Sequence, residues 1–556
     1  MEHTIATHPF SRRLMLGLSA TAVGGALVGC SSQSTGSDFG KNTALKVPTH
    51  VDPPDVPGQI VSAVDGVPPG YTQLPKKLPT TTKSVPGKGG SFTTFQVNWG
   101  APPRPKAKNK YWQELEKRLG VTYEPTLVPA DAYEDKLATM ISGGKIADMV
   151  FLHTDSANAQ RAVQDGAFAE LSAVLGGDKI KKYPNLANVP QYQWEASAIN
   201  NGIYGIPVDL AYVNSLHVYR RDWAEKLGFD AAPKNADEFY QLMTGMSGSK
   251  VGSGKTYGFG GYSGGVTQFI NAMFKVPNNW SESDGRLTHM IETDEYEQAL
   301  TYTNKLWRGG AFHPDALSLA EQGAKDRSLF ESGTIGCQVA SADTWFRSGG
   351  LDAVRSKGGE GSDPQLLLPF GHDGGDYAFP SSPGFYAVVA VSAEAASDEK
   401  RLAEILSIMN YLRAPFASAE GFFLRFGLEG VNFRYDKDGA PTPITENAAN
   451  GDVDGLSYTG LVPVAFFYPD DSQHVTDTVH YTEAVTKSSI KDPTVGLFAD
   501  SSAKVAPKLA ELTTDYVNGM VTGRKPLSAL KQFRQDWRKQ GGDQLRTELQ
   551  KGIQAG

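Results

Sequence analysis

Residues 137–152 indicate the fold class, and they read Leu137-Ala138-Thr139-Met140-Ile141-Ser142-Gly143-Gly144-Lys145-Ile146-Ala147-Asp148-Met149-Val150-Phe151-Leu152. The first part belongs to a helical pattern that runs from Ala132 to Ile141 and that the paired glycines end. The second part closes on an apolar run from Met149 to Leu152, typical of a strand buried on both faces. A helix, a glycine turn and a buried strand in succession indicate an α/β protein.

The same alternation continues on both sides of this stretch. Because short buried strands alternate with helices, we expect a parallel α/β sheet. The tail from 504 to 550 is largely helical in pattern. The other predicted elements are a strand at 91–99, a helix at 109–119 closed by Gly120, a strand at 121–125, a strand at 384–391 and a helix at 399–412.

The first 29 residues have the pattern of a signal peptide. Arg12 and Arg13 precede an uncharged run of apolar and small residues that ends in Leu27-Val28-Gly29-Cys30. This run is too short and too rich in glycine for a permanent membrane helix. The final four residues resemble a lipobox, so we expect cleavage before Cys30 and lipidation of its thiol. The Ser11-Arg12-Arg13 stretch is compatible with twin-arginine export or with ordinary secretion.

Composition excludes several classes of protein. With Cys30 used by the anchor, Cys337 is the one remaining cysteine, so we expect no intramolecular disulfide. A net charge of −8 argues against nucleic acid as a partner, because phosphate binding requires a cationic surface. A chain of 556 residues with 40% hydrophobic content is long enough for more than one domain. After the signal peptide, no apolar run approaches the length of about 20 residues that a membrane span needs.

Residues 30–90 carry many prolines, glycines, serines and threonines. Asp52-Pro53-Pro54 and Val67-Pro68-Pro69-Gly70 are examples. Proline fixes one backbone torsion and lacks an N–H donor, so regular structure is not favoured here. We expect the lipidated Cys30 to be followed by a flexible, mostly irregular tether up to residue 90 that packs on the surface in part.

Several short motifs follow one another from Ser91 onward. They are residues 137–150, Asp222-Trp223-Ala224-Glu225-Lys226-Leu227-Gly228, residues 235–239, Leu329-Phe330-Glu331-Ser332-Gly333-Thr334-Ile335-Gly336, residues 426–430, residues 435–439, residues 521–527 and Gly541-Gly542-Asp543. Each motif is weak alone, but together, in this order and behind a lipobox, they resemble extracellular solute-binding protein family 1 of ABC importers, in its longer lipoprotein branch.

The resemblance implies a two-lobe, periplasmic-binding-protein-like α/β fold with a hinge and a ligand cleft between the lobes. The first lobe would comprise 91–208 and 384–415. The second would comprise 209–383 and 416–540, followed by a C-terminal tail at 541–556. The chain would cross between lobes at Gly205–Asp209 and near Ser382–Gly384, where proline and glycine occur.

The resemblance also implies a carbohydrate ligand, most simply an oligosaccharide. A sugar offers apolar ring faces and a rim of hydroxyls, so its site needs aromatic platforms and polar side chains. Such residues cluster at predicted strand ends and crossings, although each aromatic could instead belong to a core and each aspartate could cap a helix. The expected ligand-binding residues are Trp99, Asp155, Asp209, Tyr212, Tyr262, Trp280, Asp343, Trp345 and Tyr386.

Two motifs suggest other sites but lack necessary residues. Gly252-Ser253-Gly254-Lys255-Thr256 lacks the leading glycine of a phosphate loop, because position 249 is serine, and we interpret it as a polar loop. Asp436-Lys437-Asp438-Gly439 begins like a calcium loop, but prolines interrupt it and position twelve is Asn447. We interpret it as a hairpin turn. No zinc-binding spacing occurs among the histidines, and we expect no metal at the ligand site and no cofactor; a structural calcium elsewhere stays open.

These observations predict a monomeric lipoprotein held on the extracytoplasmic face of the cell membrane. Its partners would be a carbohydrate and the permease subunits of an ABC importer. A peptide or other solute binder on the same fold is the first alternative. An exported carbohydrate-active enzyme is the second alternative, and we expect no catalytic activity.

Overall fold

A computed structural model describes most of the chain after residue 43. The expected signal peptide, Cys30 and the first part of the expected tether lie outside the described residues, as does Asp155. The described residues are 44–154, 156–248, 251–252, 254–262, 264–320, 323–347, 350–359, 361–437, 439–444, 449–457, 459, 461–468, 471–497 and 499–555.

The strands are short apart from two of eight residues that lie side by side. They are β1 (Gln59–Ile60), β2 (Gly70–Tyr71), β3 (Ser91–Asn98), β4 (Thr122–Pro129), β5 (Met149–Leu152), β6 (Gly205–Asp209), β7 (Ser215–Arg220), β8 (Tyr257–Phe259), β9 (Trp280–Ser283), β10 (Arg286–His289), β11 (Ile335–Ser341), β12 (Pro364–Leu366), β13 (Phe379–Pro380), β14 (Phe385–Val391), β15 (Phe433–Tyr435), β16 (Pro441–Pro443), β17 (Phe466–Phe467) and β18 (Ser489–Ile490).

The helices alternate with these strands and dominate the C-terminal part. They are α1 (Lys110–Leu119), α2 (Tyr133–Ser142), α3 (Ala157–Gln164), α4 (Ser172–Leu175), α5 (Gln191–Ser197), α6 (Arg221–Lys226), α7 (Ala236–Gly245), α8 (Gly264–Met273), α9 (Asp294–Arg308), α10 (Ala316–Leu319), α11 (Gly323–Glu331), α12 (Ala342–Arg347), α13 (Gly350–Lys357), α14 (Ala393–Ala396), α15 (Glu399–Leu412), α16 (Ala419–Phe426), α17 (Ala449–Ser457), α18 (Ser472–Lys487), α19 (Ser502–Val521), α20 (Leu530–Trp537) and α21 (Asp543–Ala555).

The first lobe is built on a five-stranded sheet in the order β4-β3-β5-β14-β6. Strand β3 runs parallel to β4 and β5, whereas β14 runs antiparallel to both β5 and β6. The sheet is therefore mixed, and the expected all-parallel arrangement is wrong at β14. The physical reason is the route of the chain, because β14 enters this sheet directly from the other lobe and not through a crossover helix.

Local sequence signals position the elements of the first lobe. The side chain of Asn109 accepts a hydrogen bond from the Trp112 N–H at 3.0 Å, which caps the start of α1. Gly120 ends α1 in the left-handed conformation, with φ of 71°, and its N–H donates to Glu116. The next residues can then turn back into β4 beside β3.

The second lobe is built on a four-stranded sheet in the order β12-β7-β11-β8. Successive residues of a strand point to opposite faces, so β7 contributes to two cores. Tyr219 packs with α7 and α8 on one face, whereas Leu216 and Val218 pack with Trp345 and Phe379 on the other. The helices α19, α20 and α21 cover the first of these cores.

The chain passes between the two sheets directly after β6, between β13 and β14, and between α17 and α18. Residues 416–540 were expected in the second lobe, but the packing divides this stretch. Phe423, Val453 and Leu461 pack into the core of the first lobe, whereas Val475 and Val479 pack into the second. Helices α16 and α17 thus complete the first lobe before the last passage.

The N-terminal stretch 44–90 has little regular structure but is hydrogen-bonded along its length. The N–H of Val51 donates to Ala187 in the first lobe. The Ser62 hydroxyl donates to Glu483 on α18, and β2 pairs with β17. Gly87 then returns to the first lobe, where its N–H donates to Leu119. The expected tether is therefore a packed strap from residue 44 onward, and this strap contacts both lobes.

Glu420 holds one end of this strap. Its carboxylate is buried and accepts hydrogen bonds from the N–H groups and hydroxyls of Thr81 and Thr82, at 2.6–3.2 Å. Burial opposes ionisation, but the hydrogen bonds from Thr82 and Thr81 outweigh it, so the pKa of Glu420 lies below its usual value.

We expect acid to loosen this attachment. A carboxyl group whose pKa is depressed by folding stabilises the fold above its unfolded pKa, about 4.3 for glutamate, and that stabilisation is lost as the pH falls through the lower folded value. Glu420→Gln should remove this component. Urea unfolding from pH 7 to pH 3 measures it, and an equal loss of stability in wild type and variant would contradict the assignment.

Two interpreted loops can be located. The stretch after Tyr435 connects β15 to β16, which pair antiparallel, so the hairpin interpretation is confirmed; Asp438 lies outside the described residues. Gly252, Gly254 and Lys255 lie between α7 and β8, in a loop flanked by a bridge between Gly248 and Thr256. Within the described residues, none of the helices has the length and apolar character required to cross a membrane.

Candidate functional site

The candidate site on the first lobe lies at the carboxyl edge of its parallel strands. Trp99 follows the end of β3, His153 follows the end of β5, and Asp209 ends β6. Because β14 is antiparallel, its first residues Phe385 and Tyr386 lie at this same edge. In open α/β sheets, ligands bind outside the carboxyl ends of the strands.

Trp99 and Tyr386 form an exposed aromatic pair at this edge. Trp99 is 55% exposed and Tyr386 is 37% exposed, and their ring centroids are 6.3 Å apart. Large aromatic side chains are more often buried, because their apolar surface is costly to hydrate. Two neighbouring exposed rings at a strand edge therefore form a surface suited to a flat apolar face of a ligand.

His153 packs edge-on against Tyr386 of this pair. Its ring centroid lies 5.2 Å from that of Tyr386, and its Nδ1 lies 3.0 Å from Glu134 Oε1. Glu134 also accepts a hydrogen bond from the Ser156 hydroxyl at 2.7 Å. The hydrogen bond from His153, more than that from Ser156, holds the pKa of the Glu134 carboxyl below its usual value. This network orients the imidazole and so the tyrosine that it contacts.

Three neighbouring cavities lie at or beside the place where the two lobes face each other. Cavity A has a volume of about 390 Å³ and lies between Tyr386 of the first lobe and Trp280 of the second, with Leu549 of α21 in its wall. Cavity B, of about 520 Å³, lies between Tyr212, α8 and the turn before β9. Cavity C, of about 230 Å³, lies between α5 and Lys491. All three are lined in part by Ser381, so they adjoin one another, and together they are called the cleft.

Polar side chains line the second-lobe wall of the cleft. The amide of Asn278 donates to the carbonyls of Ser381 and Ile490, at 2.8 and 3.1 Å. The amide of Asn279 donates to Asp492 at 2.9 Å. Asn279 adopts a positive φ of 57°, which asparagine tolerates better than most residues. This conformation positions the chain to enter β9 with Trp280 at the cavity.

Tyr212 lies at the junction between the lobes. It is buried, its ring centroid lies 4.9 Å from that of Tyr192, and the Lys491 ammonium lies 4.9 Å from the ring centroid. Burial, with a smaller contribution from Asp65, raises the pKa of Tyr212 to about 12. Gly384 leaves room for this packing, because a Cβ there would lie 2.6 Å from the ring. Tyr212 lines cavities B and C.

Asp209 is engaged by protein groups. Its carboxylate accepts a hydrogen bond from Arg413 Nη2 at 2.6 Å and another from the Val464 N–H at 3.2 Å. The Arg413 side chain is almost completely buried and that of Asp209 largely so. This ion pair joins the end of β6 to the residue after α15 and to the last passage between lobes.

Trp345 is packed inside the second lobe. It is 1% exposed, and its indole N–H donates to His474 Nε2 at 2.8 Å. Its ring therefore offers no face to a ligand in this conformation. We expected Trp345 to form a platform for the ligand. In the structure, its packing against α18 and Gly350 buries the ring instead.

Trp280 and Tyr262 also occupy packed positions. Trp280 lines cavity A but is only 5% exposed, and its ring packs against those of His289 and Trp537, at 4.7 and 5.9 Å. Tyr262 contacts the ring of Phe312 edge-on in the same core. Trp280 is thus at the cleft through one edge, and Tyr262 is at none of the three cavities.

The side-chain positions of two expected ligand-binding aspartates are not described. Asp155 lies outside the described residues, and Asp343 lies in α12 with a side chain that is not described. Among the described residues, no group of three or more histidine, cysteine or acidic side chains is placed to hold a metal ion. Cys337 is buried and free, and burial raises the pKa of its thiol.

The chain was compared with known protein families. Residues 100–400, more than half of the chain, match the family described as bacterial extracellular solute-binding protein. The chain belongs to this family. It is therefore a solute-binding protein.

Two relatives from Bacillus subtilis match along most of their length. The lipoprotein LipO is 25% identical over 474 residues, which cover 82% of this chain and 91% of LipO. YtcQ, a polygalacturonan/rhamnogalacturonan-binding protein, is 23% identical over 494 residues, which cover 85% of this chain and 94% of YtcQ.

Solved structures share the fold at lower identity. FusA of S. pneumoniae, an ABC-transporter substrate binding protein in complex with kestose, has a TM-score of 0.58 and 16% identity, covering 84% of this chain and 98% of FusA. An HMO-binding solute binding protein from Bifidobacterium longum infantis has a TM-score of 0.61 and 15% identity, covering 84% and 99%. The two-lobe fold of this solute-binding protein is thereby shown.

Several residues at or beside the cleft were not among the expected ligand-binding residues. Five of them line the cavities, whereas His153 packs against Tyr386 and lines none of the three. The Pro277-Asn278-Asn279 sequence favours a turn directly before Trp280, which was an expected ligand-binding residue. This turn signal could have identified Asn278 and Asn279 as residues near the site. Asp492 had no such signal, because it lies in a loop whose approach to the cleft depends on the packing of α18. The residues are His153, Gln160, Asn278, Asn279, Lys491 and Asp492.

Proposed function

We propose that this solute-binding protein captures an extracellular carbohydrate, most simply an oligosaccharide, and delivers it to the permease subunits of an ABC importer. The observation that carries the proposal is the exposed pair of Trp99 and Tyr386 beside a cleft lined by amides and hydroxyls. A sugar presents apolar C–H faces to aromatic rings and hydroxyls to polar side chains. The names of YtcQ and of the proteins of similar fold agree with this ligand class.

The proposal includes a lipid anchor on the extracytoplasmic face of the cell membrane. The lipobox at Leu27–Cys30 and the lipoprotein name of LipO support it. Each buried methylene of an acyl chain contributes about 0.8 kcal/mol of membrane affinity, so several chains make release negligible. The protein would thus remain close to its permease.

Binding is proposed to proceed by closure of the two lobes. Ligand would enter the open cleft, contact the aromatic pair on the first lobe, and then meet the polar wall around Asn278 when the lobes approach. Because the ligand contacts both lobes only in the closed state, it shifts the population toward that state by its differential affinity. The closed, loaded protein would dock on the permease, and binding rather than catalysis would be its role.

A ligand screen tests the carbohydrate proposal. The protein without residues 1–30 is exposed to mono- and oligosaccharides and, as a contrasting set, to peptides, while its melting temperature is followed. Ligand at about 100 times its Kd stabilises the fold by about 2.7 kcal/mol, which is enough for a clear shift. Shifts with peptides alone would support the peptide-binding alternative, and breakdown of a sugar would support the enzyme alternative.

Trp99→Ala and Tyr386→Ala should each weaken binding of the sugar found in that screen. Truncation of an aromatic side chain at the centre of a binding site costs about 2 kcal/mol, or roughly a 30-fold rise in Kd. Since both rings are exposed, the melting temperature without ligand should change little. Isothermal titration measures the affinities.

Tyr435→Ala is the matched control for these variants. Tyr435 is also an exposed aromatic residue, but it lies on the β15–β16 hairpin and not at the cleft. Its truncation should leave Kd unchanged. Equal affinity in all three variants would remove Trp99 and Tyr386 from the site.

A further inference from the structure

We infer that the cleft selects an electrically neutral oligosaccharide and rejects sugars that carry carboxylates. This inference rests on the proposed carbohydrate function and names the substrate class of the same site. It is carried by the charge and the hydrogen-bonding character of the cleft walls, which are independent of the aromatic pair.

Charged side chains are few in the described walls of the three cavities. Cavity B, the largest of the three, is lined by hydroxyls, amides and apolar groups. Cavity A adds the carboxylate of Asp492, and cavity C adds Glu195 and Lys491. The described walls thus hold two acidic groups and one basic group. A site for sugar carboxylates would be expected to present arginine or lysine, since these pair with carboxylates.

The one basic group is already engaged. The Lys491 ammonium lies 4.9 Å from the centroid of the Tyr212 ring and 3.4 Å from its hydroxyl oxygen. Glu195 lines the same cavity and offsets its charge. Lys491 therefore adds no excess positive potential for an anionic ligand.

Asp492 gives cavity A a fixed negative group. Its Oδ1 accepts hydrogen bonds from the N–H and hydroxyl of Thr494, at 2.8 and 2.6 Å, and its Oδ2 accepts one from Asn279. These three donors hold the carboxylate at the wall. A sugar carboxylate buried beside it would meet a like charge, and closure of the cleft would lower the local dielectric and strengthen the repulsion.

The amide side chains that line the cleft use their nitrogens for the described hydrogen bonds, which leaves their oxygens as acceptors. Gln160, Gln268 and Asn278 each donate from the amide nitrogen to a backbone carbonyl, and Asn279 donates to Asp492. A carbonyl partner requires the nitrogen on that side, so the amide oxygen is directed elsewhere. Oxygen acceptors can bind sugar hydroxyls, which donate, but they repel carboxylates, which only accept.

The inferred ligand preference of this chain differs from the ligand class in the name of its relative YtcQ. YtcQ is named for polygalacturonan and rhamnogalacturonan, which contain uronic acids. The described cleft walls here lack the basic excess that such ligands require. The net charge of −8 acts in the same direction, because it disfavours the approach of anionic ligands at low ionic strength.

Matched pairs of sugars test the inference on the whole protein in a sugar-free detergent. Maltotriose, xylotriose and kestose are titrated first, and tryptophan fluorescence is recorded. The tightest of these that carries primary hydroxyls is then compared with its carboxylated form, made by oxidation of those hydroxyls, and with the methyl ester of that form. Trigalacturonate and its methyl ester form a second pair.

We expect the neutral sugar to bind at least about 100-fold more tightly than its carboxylated form, and the methyl ester to recover most of the difference. Asp492→Asn should reduce the ratio of the two affinities. A carboxylated sugar that binds as tightly as its neutral counterpart overturns the inference and leaves the carbohydrate function intact. Binding of peptides without binding of any sugar overturns both.

Discussion

Trp345→Ala should lower the free energy of unfolding by about 3–5 kcal/mol, the range for truncation of a buried tryptophan. Three features of the structure predict this loss. The indole is 1% exposed, its N–H donates to His474, and Gly350 packs so closely that a Cβ there would lie 2.5 Å from the ring. Truncation leaves a cavity and removes the donor for His474.

Urea denaturation measures this effect, and Trp345→Phe separates its two causes. Phenylalanine fills part of the volume but cannot donate, so its loss should be smaller than that of alanine. Affinity for the sugar should persist in the folded fraction of Trp345→Ala, the opposite of the pattern expected for Trp99→Ala. A stable Trp345→Ala protein that has lost its ligand would instead make Trp345 part of the site.

The stabilisation from the contact between Trp345 and His474 should depend on pH. Burial lowers the pKa of His474 below the usual value for histidine, so the neutral ring that accepts from Trp345 is favoured in the fold. A group whose folded pKa is lowered stabilises the fold above its unfolded pKa. The contribution of His474 should therefore be complete above about pH 6.5 and decline as the pH falls below that value.

Arg413→Met should destabilise the protein by about 3–5 kcal/mol, the usual cost of removing one partner from a buried ion pair. The guanidinium donates to Asp209 at 2.6 Å, and the Arg413 side chain is only 3% exposed. Without it, the Asp209 carboxylate would retain the Val464 N–H as a described partner and would face no compensating cation. The destabilisation should be measured by urea unfolding at pH 7.

The double variant Arg413→Met with Asp209→Leu distinguishes a broken pair from lost packing. Replacing both charged partners by apolar groups is often close to neutral, because both desolvation costs disappear. We expect the double variant to recover much of the loss, and the coupling energy follows from the double-mutant cycle. A double variant that is less stable than either single variant would show that this pair contributes more than its charges.

Several elements of this solute-binding protein were predictable from local sequence. The helix from Glu399 to Leu412 and the strand from Met149 to Leu152 occur with the expected bounds. Both carry strong periodic or continuous apolar patterns with clear end signals, such as the side chain of Asp398 that caps the helix. The family was also recognisable, because its motifs follow one another along the chain and need no tertiary information.

The direction of β14, the division of residues 416–540 between lobes and the packing of the N-terminal strap were not predictable in this way. Each depends on a partner far away in the chain. Glu420, for example, binds Thr81 and Thr82 more than 300 residues earlier. A local pattern contains no information on such a partner.

The candidate ligand-binding aromatics show most clearly which features the sequence determines and which depend on the tertiary structure. By itself, the sequence determined that this is an α/β solute-binding protein and that Trp99, Trp345 and Tyr386 are aromatic residues near strand ends. Only the tertiary structure decided that Trp345 is covered by His474, 129 residues away, while Trp99 and Tyr386 stay exposed side by side. The physical reason is that the burial of a residue depends on its surroundings. An indole ring packs favourably either in a core or against a ligand, and long-range packing determines which of the two it contacts.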